Sequence, residues 1–227
     1  FDALAAKMGY SWTLEQILPQ PVPAGTPAGI LTPEGAALLD PSGDLQPGIP
    51  LAPCEGDAGT GMTATNAVRL GTGNVSAGTS DFAMLVTDCE MAVHREIDMV
   101  TTPAGIPVAM VHCNNCTSDL NAWVGLFGEF AELMGYEAKT GELFEKLYTN
   151  SLNGDADCGG LLSYGYYSGE NITMINEGRL AFLRTPESRF NLANFMKAHL
   201  YTSLGAVKMG LDILMKDEKV KVERIMG

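Results

Sequence analysis

The spacing of apolar residues predicts short helices and a connector over the first fifty residues. Residues 1–18 carry apolar side chains near the 3.6-residue period of a helix. Residues 33–39 form a second candidate helix, in which Thr32 occupies the N-cap and Pro33 the first helical position. The remainder of residues 19–53 is rich in proline and glycine, which favours an irregular connector.

After the connector, the pattern predicts strands first and helices later. Residues 49–54 form a candidate short buried strand, and residues 60–70, with small and apolar side chains and no acid, form a candidate buried helix. Polar and apolar residues then alternate over residues 74–86 around Gly78-Thr79-Ser80, which predicts a β-hairpin with a glycine at its tip. Further candidate strands lie at residues 97–101, 107–112, 161–167, 179–183 and 222–226, and candidate amphipathic helices lie at residues 119–134, 140–148 and 186–215. Strands that bunch together and then alternate with helices indicate an α/β fold with a mixed sheet flanked by helices.

The balance of charges excludes two classes of partner. Lys and Arg number 14 against 27 Asp and Glu, so the formal net charge is −13. Such a chain repels both nucleic-acid backbones and anionic lipid surfaces. No apolar run approaches the roughly 20 residues that cross a bilayer. The chain is therefore expected to act on neither nucleic acid nor membranes, and its oligomeric state stays open.

The cysteines and the first residues bear on the location and the extent of the chain. An odd count of 5 Cys suits reduced thiols better than a disulfide framework, which predicts a cytoplasmic protein. Residues 1–10 lack both an initiator Met and the basic-then-apolar pattern of a signal peptide. The chain is therefore expected to be a piece of a longer protein.

One acid stands where an α/β fold places its chemistry. Gly56-Asp57 follows the candidate strand and leads into the candidate helix of small residues. Ligands of open α/β sheets bind at such strand ends, and glycine lets a substrate approach the backbone closely. Asp57 is therefore a candidate catalytic residue, and the alternative is that it only caps the helix. Glu55, on the opposite face of the strand, is not expected to work beside it.

The predicted hairpin tip is a candidate anion site. Gly78-Thr79-Ser80 brings backbone N–H groups and two hydroxyls into one concavity, which suits a phosphate. The alternative is an ordinary hairpin with a polar tip. The chain contains no Gly-Lys-Ser/Thr sequence, and no Gly-x-Gly-x-x-Gly lies between a predicted strand and a helix. These two common nucleotide-binding loops are therefore excluded.

A Cys-x-x-Cys with a neighbouring histidine raises the question of zinc. His112, Cys113 and Cys116 supply three possible ligands, but a structural zinc site needs four, and no second pair follows at a related spacing. Two reduced thiols at a strand-to-helix junction are the prediction, and no metal site is assigned.

Four features follow one another in a recognisable order. They are Gly56-Asp57 with its helix of small residues, the Gly78-Thr79-Ser80 hairpin, an aromatic strand ending in Tyr167-Ser168-Gly169-Glu170, and a long Leu/Ala/Gly helix before a strand that ends in Gly227. This order resembles the C-terminal domain of the FGGY carbohydrate kinases, over nearly the whole chain. The resemblance implies an actin-like ATPase, or ribonuclease H-like, domain. It also implies one half of a two-domain enzyme that closes over MgATP and a ketose, such as xylulose, or a polyol.

The resemblance also implies roles for single residues. A general base takes the proton from the sugar hydroxyl that attacks the γ-phosphate, and a turn holds the β- and γ-phosphates of ATP. By position, Asp57 matches the general base, and Asp57 and Gly56 match residues that bind the sugar. Gly78, Thr79 and Ser80 match the turn that holds the phosphates. More loosely, other nucleotide contacts are matched by Thr117, Asn121 and Gly227.

The extent of the domain follows from the same resemblance, and two alternatives stay open. Residues 1–227 would form the ATP-contacting domain, with residues 1–50 as a connector, while the N-terminal lobe and a glycine-rich adenosine loop beginning at Gly227 would lie outside the chain. The chain alone would then be inactive. One alternative is a non-catalytic actin-like module that binds nucleotide or acts as a scaffold. The other takes Asp57-Ala58-Gly59-Thr60 as the acid-x-Gly-Thr phosphate turn of the other lobe, although a helical pattern follows it and not a hairpin.

Overall fold

The computed structural model describes residues 1–137 and 139–227, which divide into two units. The first unit comprises Phe1–Thr60 and Pro103–Gly105, and the second comprises Gly61–Thr102 and Ile106–Gly227. The elements of the first unit are α1 (Asp2–Lys7), α2 (Leu14–Ile17), β1 (Gly29–Ile30), α3 (Pro33–Leu39), β2 (Pro50–Leu51) and the start of α4 (Asp57–Ala64), which continues into the second unit.

The helices of the first unit follow their local start and stop signals. Thr32 caps α3 as predicted, because its Oγ1 accepts a hydrogen bond from Gly35 N at 3.0 Å. The predicted helix over residues 1–18 is instead two short helices, separated by Gly9, whose φ of 79° lies in the left-handed region. Local signals therefore decide the length of a helix even where the apolar period continues.

The predicted bounds of one strand and one helix around the connector are wrong. The strand expected over residues 49–54 is only the two exposed residues of β2, paired with β1. Pro50 and Pro53 provide no N–H group for a longer ladder. The helix expected over residues 60–70 is α4, which begins earlier, at Asp57, and ends before Asn66, whose φ is 53°.

The second unit contains the main sheet and the long helices. Its elements after α4 are β3 (Thr72–Ala77), β4 (Asp81–Val86), β5 (Asp98–Thr101), β6 (Pro107–Cys113), α5 (Thr117–Leu133), α6 (Thr140–Ser151), β7 (Leu162–Tyr166), β8 (Arg179–Leu183), α7 (Leu192–Ser203), α8 (Gly205–Asp212) and β9 (Arg224–Met226). The strand order of the main sheet is β5-β6-β4-β3-β9. Only β3 and β9 are parallel among these neighbours, so the sheet is mixed, as predicted.

The predicted hairpin is confirmed as β3 and β4, which pair from Gly73 with Leu85 to Ala77 with Asp81. The strands β7 and β8 form a separate two-stranded sheet and do not extend the main one. The helix expected over residues 186–215 begins later, at the Asn191 cap, and is interrupted at Leu204, where φ is −104° and ψ is 1°. It therefore becomes α7 and α8, with a π-helical turn at Ile213–Asp217.

Two hydrophobic cores hold the second unit together. One core lies between the main sheet and α8, and the other joins α5, α6, α7 and the two-stranded sheet. Helix α8 approaches β6 closely at Gly210, where a Cβ would lie 2.6 Å from Val111 Cγ2. Glycine at this position therefore lets the helix pack directly onto the sheet.

The helices of residues 1–137 and 139–227 include none that is both long enough and apolar enough to cross a membrane.

Candidate functional site

The hairpin turn Gly78-Thr79-Ser80 docks on the start of α5. Gly78 O accepts hydrogen bonds from Thr117 N at 3.0 Å and from Thr117 Oγ1 at 2.7 Å. Thr79 O accepts a hydrogen bond from Cys116 N at 3.0 Å, and Ser80 O accepts one from Gly78 N at 2.8 Å. All three carbonyl groups of the turn therefore have protein partners.

The donors of Thr79 and Ser80, unlike Gly78 N, have no protein partner among the described residues. Within the part of the chain that the structure describes, no hydrogen bond engages the amide groups or the hydroxyls of Thr79 and Ser80. Gly78 and Thr79 are exposed, and Ser80 is half-buried. Successive free N–H groups form an anion-binding concavity. The turn presents its donors while its carbonyl oxygens, which would repel a phosphate, are held by protein N–H and O–H groups.

Gly78 leaves space beside the turn. Its φ lies outside the left-handed region, and a Cβ at this position would meet only Ser80 O, at 3.6 Å, among the described atoms within 4 Å. That distance is an ordinary contact, so the fold itself does not require glycine here. A glycine that the backbone does not need is typical of a position where a ligand approaches the main chain.

Asp57 lies in the first unit, as the first residue of α4, and is exposed. Its Oδ1 accepts a hydrogen bond from Ala58 N at 2.7 Å, a contact that satisfies one free amide of the helix start. A Cβ at Gly56 would meet no described heavy atom within 4 Å. Among the described residues the carboxylate thus has one hydrogen-bond partner, in open surroundings, which suits both a helix-stabilising acid and a base that reaches a ligand.

The three loosely matched nucleotide residues lie in the second unit. Thr117 is bound to the turn, and Asn121 lies one helical turn further along α5 and is exposed. Gly227 follows β9, which runs parallel to β3, and a Cβ on it would lie 3.7 Å from Val75 O. Because β3 leads into the turn, Gly227 and the turn lie at the same end of the sheet.

A buried acidic pair beside the turn is absent from the sequence-based prediction. Asp81, the first residue of β4, and Glu170, in the loop after β7, are both 0% exposed. Burial, and next the repulsion of Glu170, raise the pKa of Asp81 to about 7, although the Cys113 thiol favours the charged form. A signal for this burial exists in the sequence, since Asp81 shares one strand face with Ala83 and Leu85.

Two asparagines fix the segment that holds the turn. Asn114 N and Asn115 Nδ2 donate to Glu170 Oε2 at 2.9 Å and 3.1 Å. Asn115 Oδ1 accepts a hydrogen bond from Ser168 N at 2.7 Å. The segment between β6 and α5 is therefore anchored to the loop after β7, and this anchoring orients the N–H groups that bind the turn.

The thiols of this segment are buried and unpaired. Cys113 and Cys116 stand at the junction of β6 and α5, and all five cysteines of the chain are free. Burial raises the pKa of Cys116 to about 11 and that of Cys113 further still. Among the described residues, no three His, Cys, Asp or Glu side chains come together as metal ligands. The junction therefore carries neutral thiols.

The chain is similar in structure to solved carbohydrate kinases. A xylulose kinase from Rhodospirillum rubrum matches with a TM-score of 0.70 at 18% identity, over 93% of this chain and 42% of that one. A gluconate kinase from Lactobacillus acidophilus matches with a TM-score of 0.64 at 16% identity, over 100% of this chain and 43% of that one. Plasmodium falciparum glycerol kinase, solved with ADP, matches with a TM-score of 0.57 at 12% identity, over 80% of this chain and 35% of that one. The chain spans less than half the length of these kinases and shares their actin-like ATPase fold.

Sequence comparison bears on the family. No curated protein is similar enough in sequence to count as a match. The model of the FGGY family of carbohydrate kinases, C-terminal domain, matches residues 73–227, which is more than half of the chain. The matched residues do not include Asp57-Ala58-Gly59-Thr60, which begin a helix and not a hairpin. The chain belongs to the FGGY family of carbohydrate kinases.

Proposed function

We propose that this chain is the ATP-contacting domain of a kinase that transfers the γ-phosphate of ATP to a hydroxyl of a ketose or polyol. The observation that carries the proposal is the Gly78-Thr79-Ser80 turn, whose carbonyl oxygens are bound within the protein, while the amides and hydroxyls of Thr79 and Ser80 have no partner among residues 1–137 and 139–227. Membership of a carbohydrate kinase family supports the reaction class.

In the proposed reaction, the turn holds the β- and γ-phosphates. Phosphoryl transfer requires alignment and charge neutralisation from the protein more than covalent chemistry. The amides of Thr79 and Ser80 supply fixed positive dipoles for this purpose, and the open space at Gly78 lets a phosphate reach the main chain.

Asp57 is proposed as the general base that takes the proton of the attacking sugar hydroxyl. Its exposed carboxylate and the open space at Gly56 support this role, since a sugar must reach both the acid and the backbone beside it. A carboxylate base contributes roughly 10²- to 10⁴-fold to such a reaction.

The remaining nucleotide contacts are assigned to α5 and the end of β9. Thr117 acts through the turn that its hydroxyl holds, and Asn121 and Gly227 are assigned to other parts of the nucleotide. The glycerol kinase solved with ADP supports nucleotide binding on this fold. We assign Mg²⁺ to the nucleotide phosphates; the described residues contain no group of three or more His, Cys, Asp or Glu that would form a separate metal site.

Xylulose is proposed as the first substrate to test. A xylulose kinase has the highest TM-score of the three kinases compared, yet a gluconate kinase matches nearly as well, so the fold is compatible with several sugars. Residues 1–50 are proposed as a connector that leads to the ATP-contacting domain. The five free thiols support a cytoplasmic location.

The test uses the natural polypeptide that contains this chain, assayed for MgATP-dependent phosphorylation of a panel of ketoses and polyols. Asp57→Ala is expected to lower kcat by roughly 10²- to 10⁴-fold, while MgATP affinity measured by calorimetry stays near wild type. Glu55→Ala is the matched control, since it removes an exposed acid two residues away and is expected to keep full turnover. Near-normal turnover by Asp57→Ala would remove Asp57 from the role.

The same panel separates the kinase from a non-catalytic module. A lack of sugar-dependent turnover with every substrate would favour an actin-like scaffold. The 227-residue chain by itself is expected to be inactive, because it spans less than half the length of the kinases it resembles. Turnover by the isolated chain would contradict the proposed division into an ATP-contacting domain and a separate lobe.

A further inference from the structure

A fully buried carboxylic acid lies directly beside the proposed phosphate turn. Asp81 follows Ser80 in the chain and begins β4, where it pairs with Ala77 on β3 and with Cys113 on β6. The residue is 0% exposed. Asp81 therefore occupies the point at which the turn enters the sheet, with a strand on each side.

No cation in the described part of the molecule compensates a charge on this acid. Neither Oδ1 nor Oδ2 of Asp81 has a hydrogen-bond partner of ordinary geometry there, and the Cys113 thiol, a weak donor, and the backbone N–H of Asp81 offset only part of the cost. The nearby N–H donors are used by another acid: Asn114 N, Asn115 Nδ2 and Ile172 N all donate to the carboxylate of Glu170. A buried carboxylate without strong donors is costly to ionise, and a second carboxylate close by makes ionisation costlier still.

The other titratable groups that face Asp81 carry no positive charge. From β6 the facing group is Cys113, from the start of α5 it is Cys116, and from the loop after β7 it is Glu170. Burial and the neighbouring acid raise the pKa of both thiols, so they stay neutral near neutral pH. Among the described groups, no Lys, Arg or His acts on the Asp81 carboxyl.

We propose that Asp81 is a positioning residue that acts through the Gly78-Thr79-Ser80 turn: its neutral form admits the β- and γ-phosphates of MgATP, and its ionised form weakens their binding. This inference rests on the proposed function of the turn. The phosphates would be bound by Thr79 and Ser80, which directly precede Asp81 in the chain, and among the described residues the Asp81 carboxyl has no counter-charge. Like charges in a poorly solvated region repel strongly. The turn that binds the phosphates is thus coupled to a single buried proton.

The coupling works in both directions. If an ionised Asp81 weakens phosphate binding, then bound phosphate must favour the proton on Asp81 to the same extent. MgATP binding therefore takes up a proton from solution at a pH where Asp81 is partly ionised in the free protein. Burial, and next Glu170, raise the pKa of Asp81 to about 7, which places this proton uptake in an accessible range.

The test measures MgATP affinity of the natural polypeptide by calorimetry, without sugar, between about pH 6 and about pH 8.5. Asp81→Asn removes the charge and keeps the size of the side chain. The two proteins are expected to bind equally at the low end, where Asp81 holds its proton. At the high end the variant is expected to bind about tenfold more tightly, which corresponds to a coupling of one pKa unit.

A second readout follows the proton itself. Calorimetry in buffers of different ionisation enthalpy gives the number of protons taken up on binding. That number is expected to be smaller in Asp81→Asn than in the wild type, by the share that Asp81 contributes. If Asp81 had a purely structural role, Asp81→Asn would bind MgATP no more tightly than wild type at high pH and would take up the same number of protons. Asp81→Ala, which also lacks the charge, serves as a second variant.

The controls separate the possible failures. Asp88→Asn removes one exposed acid just beyond the far end of β4 and is expected to keep the wild-type pH profile. Measurable wild-type binding with the same pH profile in Asp81→Asn and Asp81→Ala would overturn this inference alone. A wild type that binds no MgATP at any pH would overturn the proposed function, and the inference with it.

Discussion

Replacing Asp81 by asparagine is expected to change how folding stability depends on pH, and this effect does not involve a nucleotide. The asparagine side chain has nearly the volume of the aspartate but stays neutral at every pH. In the wild type, the folded chain must either hold a proton on Asp81 or carry a charge without a counter-charge in a site that is 0% exposed. The difference between the two proteins therefore isolates the free energy of that charge.

The magnitude follows from the pKa of Asp81, which burial, and then repulsion by Glu170, raise from 3.8 to about 7. One pKa unit corresponds to about 1.4 kcal/mol, so full ionisation of the folded state costs about 4 kcal/mol. Because the folded chain holds the proton more tightly than the unfolded chain, the cost is absent below about pH 4, grows as pH rises and is complete above about pH 7. Between about pH 5 and about pH 8 it grows by about 2.5 kcal/mol.

The assay is urea denaturation followed by circular dichroism at several pH values. The free energy of unfolding of Asp81→Asn, relative to wild type, is expected to increase by about 2.5 kcal/mol from about pH 5 to about pH 8. Asp40, Asp155 and Asp212, whose pKa values are lowered by hydrogen bonds, are present in both proteins, so their contributions cancel. A constant difference across this pH range would refute the claim that Asp81 is buried without a counter-charge.

Two further substitutions test the packing of the sheet and the docking of the turn. Gly210→Ala is expected to destabilise the fold by about 1–3 kcal/mol, because the new methyl group would overlap Val111. In urea denaturation, the double variant with Val111→Ala is expected to lose less stability than the sum of the two single variants, because the smaller side chain relieves the overlap. Additive losses would contradict the contact. Thr117→Val removes the hydroxyl that donates to Gly78 O and is expected to lower the free energy of unfolding by about 1 kcal/mol and to weaken MgATP binding in calorimetry. Thr117→Ser keeps the hydroxyl and is expected to keep both the stability and the MgATP affinity. Equal MgATP affinities of the two variants would show that the turn does not need this hydrogen bond.

Sequence patterns predicted the second unit better than the first for a physical reason. Long amphipathic segments such as α5 and α6 bury one face over several turns, so their period survives local irregularities. The two-residue strand β2 and the short helices around Gly9 depend on single residues and on pairing partners, which periodicity does not report. The break at Leu204 and the separate sheet of β7 and β8 likewise depend on tertiary packing.

The candidate site was predicted in its parts but not in its electrostatics. The hairpin with its glycine followed from residue types, and Thr117 was matched by the family resemblance to a nucleotide contact; the bond between Thr117 and the turn is a finding of the structure. The proximity of Asp81 to Glu170 did not, because the two acids are far apart in sequence and meet only through the loop after β7. The sequence neighbours Ala83 and Leu85 indicate only that Asp81 lies on the buried face of its strand.

The contact between the turn and α5 supports the proposed phosphate-binding role of the hairpin over an ordinary polar tip. An ordinary polar hairpin tip exposes its carbonyl and amide groups alike, because water satisfies both. Here Gly78 O and Thr79 O accept hydrogen bonds from Thr117 and Cys116, nearly forty positions away, while the amides of Thr79 and Ser80 have no partner among the described residues. This asymmetry turns a neutral turn into a surface of donors, which an anion can use and a cation cannot. It arises from a long-range contact, so the residues of the turn alone could not have predicted it.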